Sequence, residues 1–226
     1  MNNTCLLCNC LIRTRITITE ILFPGEIKHP SICSNCQSKF IKYQRTECCR
    51  GCGCEETKDL CNDCRMWEKE YGWILEHRPL FHYNQAMKEY IHAYKFQGQY
   101  QLRVVFQDEI KEAIAKIPHD LLIPIPVTNH TMHTRGFNQV TAFLTPDSYD
   151  DLLYHLQEKK IAQSKKDRSS RIKTPQPFAL RNSQIVKNRT ILLVDDIYTT
   201  GRTLYHAAAL CYSAGCKRVQ SLSLAH

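Results

Sequence analysis

Apolar residues follow one another without a polar break along Ile191-Leu192-Leu193-Val194, directly after Thr190. A strand with one wet face would alternate, so this run predicts a strand covered on both faces, the habit of parallel sheets. Thr203 to Tyr212 has helical spacing, Gly215 marks its stop, and Arg218 to Leu224 predicts the next strand. The tail of the chain is therefore a strand, loop, helix, strand unit, and the fold class is α/β. Upstream, residues 84 to 95 mix charged and apolar positions at helical spacing, and Leu102, Val105, Phe106, Ile110, Ile114 and Ile117 form a second helical stripe. Pro118, which offers no N–H, stops that helix. Leu121 to Ile125 predicts a short buried strand that Pro124 and Pro126 turn into a loop, and a further helical segment is expected from Asn138.

Composition divides the chain. It has 226 residues, of which 43% are hydrophobic and 23% charged, with no run of 18 apolar residues, so neither general disorder nor a membrane span fits. No secretory signal pattern opens it, which makes the cytoplasm the expected location. Eleven of the 13 cysteines fall in the first 64 residues. In a reducing compartment such density points to metal ligation rather than disulfides. The expected organisation is a cysteine-rich module over 1–70 and an α/β domain over 71–226. Residues 1–80 carry 11 basic and 10 acidic side chains, whereas the remainder carries 19 and 12, so the net charge of +8 belongs mostly to the larger part. Within it, residues 159–189 hold ten Lys or Arg against one Asp, with Pro175 and Pro177, the composition of a solvated basic loop.

The cysteines pair as Cys5 with Cys8, Cys33 with Cys36, Cys49 with Cys52, and Cys61 with Cys64, four CxxC units whose spacing lets both thiolates of a pair reach one tetrahedral ion. Eight ligands make two structural zinc sites, and pairing in sequence order assigns the first four cysteines to one ion and the last four to the other. A crossed pairing, and a single zinc with bystander cysteines, are the alternatives. Cys10, Cys48 and Cys54 are left over, with Cys48 or Cys54 able to replace a neighbour, and Gly53 is placed as a knuckle residue that tolerates a turn.

The second constellation follows the predicted buried strand. Asp195 and Asp196 end it, and Thr199, Thr200, Gly201, Arg202 and Thr203 come next. A loop between strand and helix aims backbone N–H groups at one point, and the hydroxyls add donors around a monophosphate. Gly201 allows close approach. Carboxylates would repel phosphate but suit ribose hydroxyls, directly or through magnesium, so the implied ligand has a sugar diol beside a 5'-phosphate. Neither GxxxxGK[ST] nor GxGxxG occurs, which removes support from ATPase and dinucleotide readings. The bland alternative makes the two carboxylates helix caps and the threonines ordinary turn residues.

Ile191 to Thr203 resembles the signature of type I phosphoribosyltransferases, which bind phosphoribosyl pyrophosphate with magnesium. Together with the cysteine pairs, Phe81-His-Tyr-Asn84, Lys95-Phe-Gln-Gly98, Ile123-Pro-Ile-Pro-Val127 and Arg135-Gly-Phe-Asn-Gln139, nearly the whole chain resembles the competence protein F family of natural DNA transformation. The resemblance implies a type I phosphoribosyltransferase-like parallel sheet, a cytoplasmic role in importing single-stranded DNA, and a helicase-like competence ATPase as partner, with any link to the membrane uptake machinery made through partners. It implies that Asp195 and Asp196 hold the ribose, that residues 199–203 hold the 5'-phosphate, that Arg135 faces the departing diphosphate, and that Asn138, Gln139 and Lys95 lie near the ligand. Gln163, Arg168 and Arg171 fall where the family has a loop over the site, although Lys160, Lys166 and Thr174 depart from its pattern. The basic loop could receive single-stranded DNA, meet the diphosphate, or only face solvent. The expected function is a ligand-binding adaptor in DNA uptake; the alternatives are an active magnesium-dependent phosphoribosyltransferase, whose acceptor no segment announces, and a zinc-containing single-stranded DNA-binding protein.

Overall fold

The computed structural model describes residues 4–12, 30–44, 47–55, 57–156 and 176–226. In chain order the elements are α1 (Ser34–Gln37), α2 (Asn62–Tyr71), β1 (Glu76–Phe81), α3 (Gln85–Phe96), a 3-10 turn (Tyr100–Val105), α4 (Gln107–Ala115), β2 (Leu121–Pro124), α5 (Asn129–Arg135), a second 3-10 turn (Thr141–Phe143), β3 (Leu153–His155), β4 (Phe178–Leu180), α6 (Ser183–Val186), β5 (Thr190–Ile197), α7 (Arg202–Ser213) and β6 (Arg218–Ala225). Among the described residues the main sheet has the order β1-β6-β5-β2 and is parallel throughout, while β3 and β4 form a separate antiparallel pair. The expected α/β class with a parallel sheet is what the chain adopts.

The uninterrupted apolar run of β5 explains the core. Side chains alternate across a strand, so Leu192 and Val194 join one hydrophobic cluster with Leu222, Leu224, Tyr90, Tyr94 and Phe106, while Ile191 and Leu193 join another with Ile123, Val219, Leu204 and Tyr205. The cysteine-rich segments contribute to both. Cys5, Ile32, Cys36 and Phe40 pack into the first cluster, and Cys49, Leu60, Cys64 and Trp67 into the second.

Several expectations change. The stripe from Leu102 to Ile117 is broken into a 3-10 turn and α4, joined at Phe106, whose φ of −122° lies outside the helical range. The helix of this region lies earlier than the one expected from Asn138 and ends at Arg135 as α5; it buries no residue, so it carries no apolar stripe to reveal it, and only the 3-10 turn follows Asn138. β1 holds Pro79, which is tolerated because β1 lies at the sheet edge. Part of the basic stretch is ordinary structure, β4 and α6, rather than loop. The remainder, with Lys160, Gln163, Lys166, Arg168, Arg171 and Thr174, lies outside the described residues.

Candidate functional site

β5 delivers Asp195 and Asp196 to the carboxyl end of the sheet, where open parallel sheets bind ligands. A cavity of about 460 Å3 opens there, lined by Lys95, Thr128, Thr131, Arg135, Gln139, Asp195, Asp196, Thr199, Arg202 and Thr203, and continuing to His155, Phe178 and His206. It gathers residues that stand more than a hundred positions apart in sequence. Thr200, Gly201 and Asn138, also expected at the ligand, do not line it. The Asn138 side chain is a strut instead, donating to the Ile125 carbonyl at 3.1 Å and accepting from the Val140 N–H at 2.8 Å.

The two carboxylates are differently held. Asp195 is buried and accepts the Asp196 N–H at 2.8 Å. Burial, reinforced by the neighbouring Asp196 charge, pushes its pKa well above the ordinary value. Asp196 is paired with the Lys95 ammonium and accepts from Gln139 Nε2 at 3.2 Å. Arg135 closes the network by donating to Gln139 Oε1 and, at 3.0 Å, to the Lys95 carbonyl. Burial lowers the Arg135 pKa while Asp196 opposes that shift. Three cationic or amide groups are thus fixed around one carboxylate beside open space, which suits a polyanionic, hydroxyl-bearing ligand.

On the loop side, Gly201 takes φ of 77° at the N-cap of α7, and a Cβ there would meet the Tyr198 ring. Only glycine fits both demands. Arg202, Thr203 and His206 share one face of α7 at helical spacing, a periodic signal through which His206 was legible. Burial and the Arg202 charge hold the His206 pKa low. Thr128 and Thr131, unforeseen at the cavity, arrive because Thr128 caps α5 by accepting the Thr131 N–H at 3.1 Å. His155 and Phe178 come from the β3-β4 pair, which is too short to leave a pattern.

The cysteines form two clusters. Sγ atoms of Cys5, Cys8, Cys10 and Cys33 lie within 4.8 Å of one another, as do those of Cys49, Cys52, Cys54 and Cys61. Cys36 interacts with Cys8, Cys33 and Cys5, and Cys64 with Cys52, Cys49 and Cys61. Both clusters are built alike. The Cys5 N–H donates to the Cys10 carbonyl at 2.8 Å and the Cys49 N–H to the Cys54 carbonyl at 2.7 Å. The Cys33 N–H donates to Cys5 Sγ and the Cys61 N–H to Cys49 Sγ, each at 3.3 Å. Cys33 and Cys61 are the N-caps of α1 and α2. Positive φ at Asn9 (57°) and Gly53 (80°) turns each knuckle.

Burial opposes the Cys5 thiolate, yet the backbone N–H groups of Cys33, Leu7 and Cys8 bring its pKa down to about 6. The same contest, decided by the N–H groups of Cys61, Cys52 and Gly51, leaves Cys49 at about 7. Converging thiols with N–H-stabilised thiolates fit a tetrahedral thiophilic ion, so both clusters could hold metal. Cys10 and Cys54, left over in the sequence, enter them. Their signal was the shared C-x-x-C-x-C spacing at residues 5–10 and 49–54.

The chain is similar to known proteins along nearly its whole length. Residues 150–226 match the phosphoribosyl transferase domain family. Competence protein ComFC of Streptococcus pneumoniae is 36% identical over 222 residues, covering 97% of this chain and 98% of that protein. Competence protein ComFC of Bacillus subtilis is 29% identical, covering 93% and 89% respectively. The solved structure of the allosteric regulatory enzyme of purine biosynthesis aligns with 52% of this chain and 24% of its own, at 12% identity and a TM-score of 0.33.

Proposed function

The chain belongs to the ComFC family of competence proteins, and from that premise we propose that it acts in DNA uptake as a phosphoribosyl pyrophosphate-binding, zinc-containing adaptor of the cytoplasm. The observation that carries the reading is the single cavity in which the paired carboxylates of β5 meet Thr199, Arg202 and Thr203. Hydroxyls and the N-terminus of α7 suit the 5'-phosphate, Asp195 and Asp196 suit the ribose diol, and Lys95 with Arg135 suits the diphosphate. Magnesium carried by the diphosphate would shield its charge. The cysteine clusters would hold one structural zinc each, with Cys36 and Cys64 or Cys10 and Cys54 completing the sets.

Asp196 is already engaged by Lys95 and Gln139, so a ligand diol that reaches it must displace an existing ion pair. Extension of the cavity to His155, Phe178 and His206 favours a second reading, in which an acceptor enters there and the site transfers phosphoribose. Delivery of single-stranded DNA along the basic segment 159–189 and docking of a helicase-like ATPase complete the proposal. Titration calorimetry of the zinc-loaded protein with phosphoribosyl pyrophosphate, with and without magnesium, tests it. Saturable binding abolished by Asp195→Asn with Asp196→Asn is expected; heat absent from folded wild type would overturn it. Release of diphosphate with an acceptor would move the assignment to the second reading.

A further inference from the structure

The second cysteine cluster touches the phosphate loop through one side chain. Trp67 lies in α2, whose N-cap is Cys61 and whose first turn holds Cys64. Its indole Nε1–H donates to the Thr200 carbonyl at 2.7 Å, across 133 positions of sequence. Only 3% of Trp67 is exposed, and its ring stacks on Tyr205 of α7 at 4.9 Å between centroids and 20° between planes. The Tyr205 hydroxyl in turn accepts the Leu75 N–H at 3.2 Å. Gly51, inside the knuckle, accepts the His77 N–H of β1 at 2.8 Å, and a Cβ on Gly51 would strike Cys64 Sγ. Cluster, α2 and the turn into α7 are therefore packed without slack.

A trans peptide points its C=O and N–H in opposite directions. Fixing the Thr200 carbonyl on Trp67 consequently fixes the Gly201 N–H the other way, and does so at the residue whose φ of 77° permits the turn. Such a loop is strained to rebuild and cheap to mis-set, so a second contact that over-determines it matters for anion binding.

We propose that the Cys49–Cys64 cluster positions the phosphate loop through Trp67, so that metal at this cluster strengthens anion binding in the cavity while the Cys5–Cys36 cluster does not share the role. The proposal rests on the pocket reading above. The asymmetry follows from placement: the first cluster packs with Phe40, Tyr90 and Phe106, whereas the second packs with Tyr198, Leu204 and Tyr205 beside the loop. Trp67 is a positioning residue; it holds the Thr200 carbonyl and acts on the ligand only through the loop that brings Thr199, Arg202 and Thr203 to the cavity.

The chain has two tryptophans, Trp67 and Trp73, so a 15N-labelled sample gives two indole resonances. The test uses the full, zinc-loaded chain, with ribose 5-phosphate as probe. Trp67→Phe keeps an aromatic ring for stacking but removes the N–H together with part of the indole, so its Tm is read beside its affinity; its Kd for ribose 5-phosphate should rise about five- to tenfold, the worth of one hydrogen bond. Cys61→Ser should weaken binding at least as much and shift the Trp67 indole resonance, whereas Cys33→Ser, which opens the other cluster, should shift that resonance less. Equal affinity in wild type and Trp67→Phe, or an indole resonance indifferent to Cys61→Ser, would overturn the coupling. If wild type does not bind ribose 5-phosphate, the pocket reading fails instead, and the indole response to Cys61→Ser still decides whether the cluster sets the position of Trp67.

Discussion

Asp195 sits where folding resists its charge. Its pKa is raised because burial and the Asp196 charge both penalise the carboxylate. The folded state then binds its proton more tightly than the unfolded state does. Stability from this group is fully present below the unfolded value of 3.8 and is lost as pH rises through the folded pKa. Asp195→Asn keeps an oxygen to accept the Asp196 N–H and removes the penalty. The variant should therefore melt a few degrees above wild type at pH 8 and close to it at pH 4 by calorimetry, while losing ligand affinity. A lower Tm at pH 8 would show that the carboxylate stabilises the fold. Such a trade of stability for function is the usual mark of a site residue. Gly201 makes the companion case. An added methyl meets the Tyr198 ring at a φ that side chains avoid, so Gly201→Ala should cost about 1–3 kcal/mol in urea unfolding. A cost within error of zero would mean that the loop turns freely.

Among the elements, α5 shows how a piece of the site stays in place without a core. None of its residues is buried, and its ends are fixed by the Thr128 cap and by Arg135 bonded to the Lys95 carbonyl and Gln139. Thr128→Ala should lower stability by about 1 kcal/mol. Because Arg135 ends the same helix, it should also weaken binding of phosphoribosyl pyrophosphate; unaltered calorimetric affinity would separate the helix from the site. The same helix explains the limits of reading the chain directly. β5 was visible because its core positions are consecutive, and the acid pair and threonines are local in sequence. α5 was not, since a helix without an apolar stripe leaves no periodicity. The resemblance put Asn138 near the ligand or among the residues that shape its pocket, and its bonds to Ile125 and Val140 make it a brace, a choice that residue type alone does not reveal. Trp67 could not be found at all, its partner Thr200 being remote and its bond made to backbone, which no sequence pattern marks.

The whole molecule joins the cysteine-rich part to both faces of one sheet. Ile191 and Leu193 pack in the cluster that contains Cys49, Cys64 and Trp67, while Leu192 and Val194 pack in the one that contains Cys5, Cys36 and Phe40. A module that shares both cores is not a detachable appendage, even though eleven of the 13 cysteines lie at or before Cys64 and charge changes sharply beyond it. Edge strand β1 adds to this, since the Tyr43 N–H donates to the Leu80 carbonyl and the His82 N–H to the Ile41 carbonyl, each at 2.9 Å. Metal bound by the folded clusters contributes its binding free energy to folding. Zinc-loaded protein should therefore unfold in one calorimetric transition, and stripping zinc with a strong chelator should lower that Tm as a whole, by ten degrees or more. Separate loss of the cysteine segments, with the sheet melting at its original temperature, would show that the shared clusters do not couple the parts. The choice matters for the site, because in a coupled molecule the loop from Thr199 to Thr203 is only as well ordered as the cysteine cluster behind it.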